Sequence, residues 1–349
     1  MRSVTAFNTG WYFHDGFEDG LREELRPGRA VVLPHSAVEL PLAYFDETTY
    51  QRPFTYQKAL QWSEAFEGRE VSLVFDGAMA DAVVFLNGEQ VAAHPDGYTP
   101  FEARLTGRLR RGENLVTVRI DGSENPGIPP FGGQIDYLTY AGIYRDVWLK
   151  TVDRVSIERV KIEAQDVLAD AKSLSVRCEV RNAGDASGGT LTASLRDLGG
   201  REIARTEAPL AGDAVTLRMA GLAGIALWDI DDPVLYDVEV MLESPGGSDR
   251  LVTPFGFRSA EFTPDGFRLN GRALKIRGLN RHQAWPYSGY AMGRRAQERD
   301  AEILKHDLKC NLVRTSHYPQ SPWFLDHCDR IGLLVFEEIP GWQHIGDAS

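Results

Sequence analysis

Three short apolar runs in the last quarter of the chain each end in groups able to hold or activate a ligand. The run Leu274 to Leu279 leads into Arg281 and His282, NLVRTS leads into Thr315, Ser316, His317 and Tyr318, and LLVFEEI ends on Glu337 and Glu338. Imidazole can donate or accept a hydrogen bond, guanidinium only donates and an ionised carboxylate only accepts, so the set suits a small polar ligand. One histidine near a strand end is usually structural. Three successive strand ends carrying such groups to one rim point instead to a site. Some chemistry is excluded at once. Glycoside hydrolysis ordinarily uses two carboxyl groups about 5 to 9.5 Å apart. Glu337 and Glu338 are neighbours on one strand, so their side chains point to opposite faces and at most one can look into a cavity.

The elements that position these residues follow from periodicity. After Phe262 the order is strand, helix, strand, helix, strand: GRRAQERDAEILKHDLK places Ala301, Leu304 and Leu308 on one helical face, and SPWFLDHCDRIG opens on a Ser-Pro cap. Such alternation implies parallel strands, in either a (β/α)8 barrel or a doubly wound sheet. No glycine-rich phosphate loop follows any of the strands, as a doubly wound nucleotide-binding sheet would require. A closed barrel needs about 200 residues or more, whereas 88 run from Phe262 to Ser349. The expectation is therefore the first two to three units of a (β/α)8 TIM barrel.

Upstream the pattern is β. From about Phe54 to Lys150 short alternating segments, such as Val71, Leu73 and Phe75 or Val116, Val118 and Ile120, read as half-buried strands. Asn87-Gly88 marks a two-residue hairpin turn, and Asn270-Gly271 marks another. From about Asp153 to Arg258 a second block alternates at Leu174, Val176, Cys178 and Val180, with turn clusters NAGDASGG, LGG and SPGGSD. No convincing amphipathic helix precedes residue 290. The fold class expected is mainly β with an α/β C-terminal part: a β-sandwich over 1–152, an immunoglobulin-like β-sandwich over 153–258 and a partial barrel over 259–349.

Composition narrows the partners. A net charge of −12 and a pI near 5.2 argue against nucleic acid. No apolar run reaches the length of a membrane span, and the start lacks the basic-then-apolar pattern of a leader, so a cytoplasmic protein is expected. Cys178, Cys310 and Cys328 form no CxxC pair and are odd in number, which suggests neither a zinc site nor a disulfide framework. Oligomeric state leaves no readable signal.

An ordered series of motifs then carries a resemblance: VVLPHSAV, AGIYRDVWL at 141–149, WDIDDPVLYDVEV at 228–240, FGFRSAEFTPDGFRLNGRALKIRGLNRHQ at 255–283, NLVRTSHYP at 311–319 and CDRIGLLVFEEIP at 328–340. Together they resemble glycoside hydrolase family 2, which includes β-galactosidases, β-glucuronidases and β-mannosidases. The resemblance covers essentially the whole chain. It implies a jelly-roll sugar-binding domain, an immunoglobulin-like domain and a TIM barrel, and retaining exo-β-glycosidase activity of the β-galactosidase type.

By resemblance, His282 and His317 bind sugar hydroxyls, Arg314 lies near the nucleophilic carboxylate, and Asp136 is projected into the barrel mouth by the jelly roll. Trp285, Tyr287 and Trp342 are candidates for an aromatic platform, and Glu338 and His344 for supporting positions. The acid/base and nucleophile are expected beyond Ser349, so no catalytic residue is assigned and the chain alone is expected to be inactive. Where large magnesium-dependent members carry Glu-x-His, this sequence has Trp342-Gln343-His344. No metal and no cofactor are therefore expected. The resemblance leaves β-glucuronidase or β-mannosidase activity as alternatives. From another class, a non-catalytic carbohydrate-binding protein or an adhesion module could be built on the same sandwiches.

Overall fold

The computed structural model describes residues 1–349 except 42, 44, 45, 134, 186, 187, 343 and 345–349. The N-terminal domain is a jelly-roll sandwich of two antiparallel sheets. One orders its strands Ser3–Ala6, Val147–Val152, Glu70–Phe75 and Phe101–Arg104. The other orders Arg29–Val31, Trp11–His14, Pro53–Gln61, Glu113–Asp121, Ala82–Leu86 and Glu89–His94. Leu73, Phe75, Val116, Val118 and Ile120 are buried in the shared core with Trp11, Phe54 and Tyr56.

Two features depart from the expected half-buried strands. Three strands lie before Phe54, in segments too short to show a clear period. The outer face of the second sheet is also covered, because the 3-10 turn Asp19–Arg22 packs on it: Leu21 accepts from Thr117 Oγ1 at 3.0 Å, and the Glu24 carbonyl accepts from Gln57 Nε2 at 2.8 Å. The Asn87-Gly88 turn closes the hairpin at Leu86↔Glu89, with both turn residues at positive φ (52° and 89°), as a type I′ turn demands.

The second domain has the seven strands of an immunoglobulin-like sandwich. Ser156–Gln165, Lys172–Arg181 and Ala214–Leu222 form one sheet; Glu202–Pro209, Thr190–Asp197, Tyr236–Ser244 and Gly247–Phe255 form the other. Leu174, Val176, Cys178 and Val180 all point into the core, as the alternation requires. Trp228 leaves this domain to donate its indole N–H to the Asp329 carbonyl at 2.7 Å, tying the sandwich to the second barrel helix.

A hairpin of Ala260–Thr263 and Gly266–Leu269, turning at Asn270-Gly271 into Arg272–Ala273, leads to three parallel strands: Gly278–Arg281, Leu312–Thr315 and Leu334–Phe336. They lie in chain order, joined by helices Arg294–Glu302 and Pro322–Ile331, as in the opening of a TIM barrel. The first strand starts later than the apolar run suggests. The Asn311 side chain occupies the backbone before it, accepting from the Arg277 N–H at 2.8 Å and donating to the Lys275 carbonyl at 2.9 Å.

Leu308 is also misplaced by a simple helical period: it is 54% exposed, whereas Ala301 and Leu304 are buried. The helix widens into a π turn over Ile303–Asp307, closed by Leu308 N–H to the Ile303 carbonyl at 2.9 Å, and this rotates Leu308 off the packed face. The second helix carries Pro322 in its first turn, though the Ser321 side chain makes no capping bond. It ends at Gly332, whose φ of 76° and close approach to the Ile230 carbonyl exclude a β-carbon. All three cysteines are buried and free. No helix among the described residues is long and apolar enough to cross a membrane.

Candidate functional site

The ladder sets the rim. Arg314 pairs with Asn280 on one side and Phe336 on the other, and Arg281 pairs with Thr315, so the residues just past each strand emerge at one end of the sheet. Arg314 turns its guanidinium to Glu338, with Nε donating to Oε1. It also reaches Asn280 Oδ1 and Ser316 Oγ, each at 3.4 Å. Glu338 is held from behind by its own N–H, which donates to Thr315 Oγ1 at 3.0 Å. The second carboxylate oxygen, Oε2, lies 3.2 Å from His317 Nδ1.

That contact assigns the His317 tautomer. Arg314 Nη2 also lies 3.2 Å from Nδ1, but guanidinium cannot accept a proton and the carboxylate cannot donate one. A hydrogen bond from Nδ1–H to the charged carboxylate is the stronger arrangement, so Nδ1 carries the hydrogen and Nε2 offers a lone pair.

His282 packs edge-on to His317 with ring centres 5.4 Å apart, and its Nδ1 lies 3.2 Å from the Tyr318 hydroxyl. Burial holds its pKa below the ordinary value; the Arg314 charge acts the same way, while the Asp136 carboxylate opposes it. His282 is therefore neutral at pH 7. Asp136 itself is exposed on the jelly-roll loop that reaches this rim, near enough for its charge to act on His282.

The third strand ends at Phe336, so both glutamates lie just past it, yet they diverge as expected from the sequence. Glu338 faces Arg314 and His317, whereas Glu337 Oε1 accepts the Gln320 N–H at 3.0 Å, and burial raises its pKa. Arg281 does not join the rim. It is buried against the helices, where it donates to Asp300 Oδ2 at 2.7 Å and Gln297 Oε1 at 2.8 Å and covers the Phe324 ring at 4.0 Å.

The expected aromatic platform is only partly assembled. Trp342 lies 5.8 Å from the His317 ring and 6.4 Å from Tyr137, but Trp285 and Tyr287 are exposed and make no ring pair with this group among the described residues. Trp285 instead closes a turn by exchanging backbone bonds with Gly289, and the Tyr287 N–H donates to the Leu40 carbonyl at 3.1 Å. His344 stacks on Phe131 at 4.0 Å, and Gln343 lies outside the described residues.

The residue that sequence reasoning missed is Tyr137, whose ring sits 5.3 Å from His282, 5.9 Å from His317 and 5.5 Å from Tyr318. Its position beside Asp136 was the available signal. Arg145, in the AGIYRDVWL segment, was missed as well. From the jelly roll it donates to Gln283 Oε1 at 3.0 Å and to the Pro319 carbonyl at 2.6 Å, directly behind the two histidines.

With this geometry in view, comparison with known proteins is specific. Models of the glycosyl hydrolases family 2 sugar binding domain, of glycosyl hydrolases family 2, and of its TIM barrel domain match residues 33–153, 155–258 and 261–346. A β-galactosidase of Rhizobium meliloti is 53% identical over 97% of this chain and 45% of its own length. One from Thermoanaerobacterium thermosulfurigenes is 46% identical over 100% of this chain and 50% of its own. The crystal structure of a Bacteroides uniformis β-glucuronidase 2 superposes with a TM-score of 0.88 at 27% identity, over 98% of this chain and 42% of that one. The chain thus spans about half the length of these curated relatives. Three domain models met in order, on a rim built as described, establish that the chain belongs to glycosyl hydrolases family 2.

Proposed function

We propose that this chain forms the sugar-holding wall of a retaining exo-β-glycosidase that acts on β-galactosides. The observation that carries the reading is the clustering of His282, His317, Tyr137 and Trp342 beside Asp136, at the C-terminal ends of parallel strands, in a chain about half identical to a β-galactosidase. Imidazoles and a carboxylate bind hydroxyls, and aromatic faces cover the apolar side of a pyranose ring.

In a retaining mechanism one carboxylate attacks the anomeric carbon to form a glycosyl-enzyme, and a second carboxyl group protonates the leaving oxygen and then activates water. Neither glutamate of this rim suits those tasks, since Glu338 is clamped by Arg314 and His317 and Glu337 faces the Gln320 amide. We assign both tasks to carboxylates outside these 349 residues. The role of Arg314 is to fix Glu338 through Nε and, through the other carboxylate oxygen, the orientation of His317.

A β-glucuronidase reading is less favoured. A uronate needs free cations, but Arg314, Arg281 and Arg145 are each committed to protein partners. Magnesium at the third strand is not part of the proposal either: where large magnesium-dependent members carry Glu-x-His, this sequence has Trp342, which offers no oxygen ligand.

The test compares a chromogenic β-galactoside, β-glucuronide and β-mannoside, using the complete gene product and this chain alone. Turnover of the galactoside by the complete product and none by the chain is the expected result. Turnover by the pure chain, or a preference for the glucuronide, overturns the reading.

A further inference from the structure

His282 and Tyr318 each follow the end of a parallel strand, and the Arg281↔Thr315 register brings the two together behind the sugar-facing rim. The Tyr318 ring is fully buried, and its oxygen is 3.2 Å from His282 Nδ1. Which group donates is decided by the surroundings. Among the described residues His282 Nδ1 is the one hydrogen-bond partner of the Tyr318 hydroxyl; the neighbouring Tyr98, Tyr137 and Tyr290 hydroxyls make no bond to it.

A buried hydroxyl must place its proton somewhere, because leaving a buried donor unpaired costs about 1 to 3 kcal/mol. With a hydrogen on His282 Nδ1 the Tyr318 oxygen would accept it, and its own O–H would be left without an acceptor. The lone pair of Nδ1 is the acceptor this pocket offers to Tyr318.

We propose that Tyr318 is a positioning residue that fixes His282 in the Nε2–H tautomer, so that His282 presents a hydrogen-bond donor to the ligand. His317, with Nδ1–H turned to Glu338, presents an acceptor at its own Nε2. The two rings, 5.4 Å apart, thus offer one donor and one acceptor. A sugar hydroxyl, which both gives and takes a hydrogen bond, satisfies that pair; a carboxylate, which only accepts, does not. The ligand class rests on the carbohydrate reading above, but the tautomer does not.

The test is a long-range proton–nitrogen correlation spectrum of the chain labelled with 15N-histidine, with His282 assigned through a His282→Asn sample. A bare Nδ1 and protonated Nε2 on His282 are expected at pH 7, with loss of that bias toward averaged nitrogen shifts in Tyr318→Phe. A wild-type His282 protonated at Nδ1, or an unaltered tautomer in Tyr318→Phe, overturns the proposal. Should the variant fail to fold, the wild-type spectrum alone still decides. Titrating galactose into the same sample separates the two claims: no response at His282 would sink the carbohydrate reading and leave the tautomer result standing.

Discussion

Glu338 binds Arg314 through one carboxylate oxygen and stands 3.2 Å from His317 Nδ1 through the other, so a single side chain orients two groups of the rim. With 22% of the Glu338 side chain exposed, the pair is screened less than a surface ion pair. Glu338→Gln keeps the volume, loses the charge and presents an amide that cannot satisfy both partners. Hydrogen bonds to charged groups contribute about 1.5 to 3 kcal/mol. The variant is expected to unfold in urea with about 2 kcal/mol less stability, and the complete gene product carrying it to lose most kcat/KM for a β-galactoside. Wild-type kinetics in that variant would show that the clamp is dispensable.

A second prediction concerns pH and lies far from the rim. Burial, with a smaller contribution from Asp146, pushes the Asp76 pKa up to about 6 from 3.8, against the bond from Trp148 Nε1 at 2.8 Å. A carboxylate whose folded pKa is raised binds its proton more tightly when folded, so its stabilising effect is present at low pH and is lost as pH rises through about 6. A shift of this size is worth about 3 kcal/mol as an upper bound. His35 works in the opposite sense: burial lowers its pKa to about 4, so its effect favours folding as pH rises through the same window. The wild-type profile therefore mixes the two. The difference between wild type and Asp76→Asn isolates Asp76, and the variant should gain stability relative to wild type between pH 4 and pH 7. A flat difference profile, measured by urea denaturation at several pH values, would contradict it.

What the sequence shows and what it hides follow from locality. Alternation at Leu174, Val176, Cys178 and Val180, the Asn-Gly turns and the strand–helix alternation after Phe262 are set by neighbours a few residues apart, and all reappear in the structure. The divergence of Glu337 from Glu338 is nearly as local, since it continues the alternation of a strand that ends at Phe336, just before them. Arg281 was misread because its direction depends on acceptors, Gln297 and Asp300, carried by a helix that follows it. Tyr137 and Arg145 were missed because they reach the rim from another domain, across more than a hundred residues of chain. Leu308 fails for a third reason, a π turn that composition does not announce.

Arg145 supports a third prediction. Arg145 is 5% exposed, and its guanidinium donates to the Tyr98 carbonyl at 2.9 Å as well as to Gln283 and Pro319. Arg145→Met keeps a flexible stem of similar reach but leaves these acceptors dry. Leaving one or two buried acceptors unpaired costs about 1 to 3 kcal/mol each, so a loss of about 1 to 6 kcal/mol is expected. Because the contacts cross from the jelly roll to the barrel strands, the loss should also uncouple the two. Urea unfolding, expected as one transition in wild type, should split in the variant, with the barrel residues followed by Trp323 fluorescence and the jelly roll by Trp11. Coincident transitions at wild-type denaturant concentration would refute this role.

The two tryptophans once paired as a platform now make a discriminating comparison. Trp342 is flanked by His317 and Tyr137, whereas Trp285 is 43% exposed and joined to Gly289 by backbone bonds that do not depend on its side chain. Removing a ring that covers a sugar face forfeits contact area and stacking worth about 0.5 to 1.5 kcal/mol beyond burial. Trp342→Ala in the complete gene product should therefore raise KM for a β-galactoside by about tenfold, a change of about 1.4 kcal/mol. Trp285→Ala should leave both KM and kcat near wild type. The reverse ranking would place the sugar against the loop after the first strand and move the subsite away from the histidines.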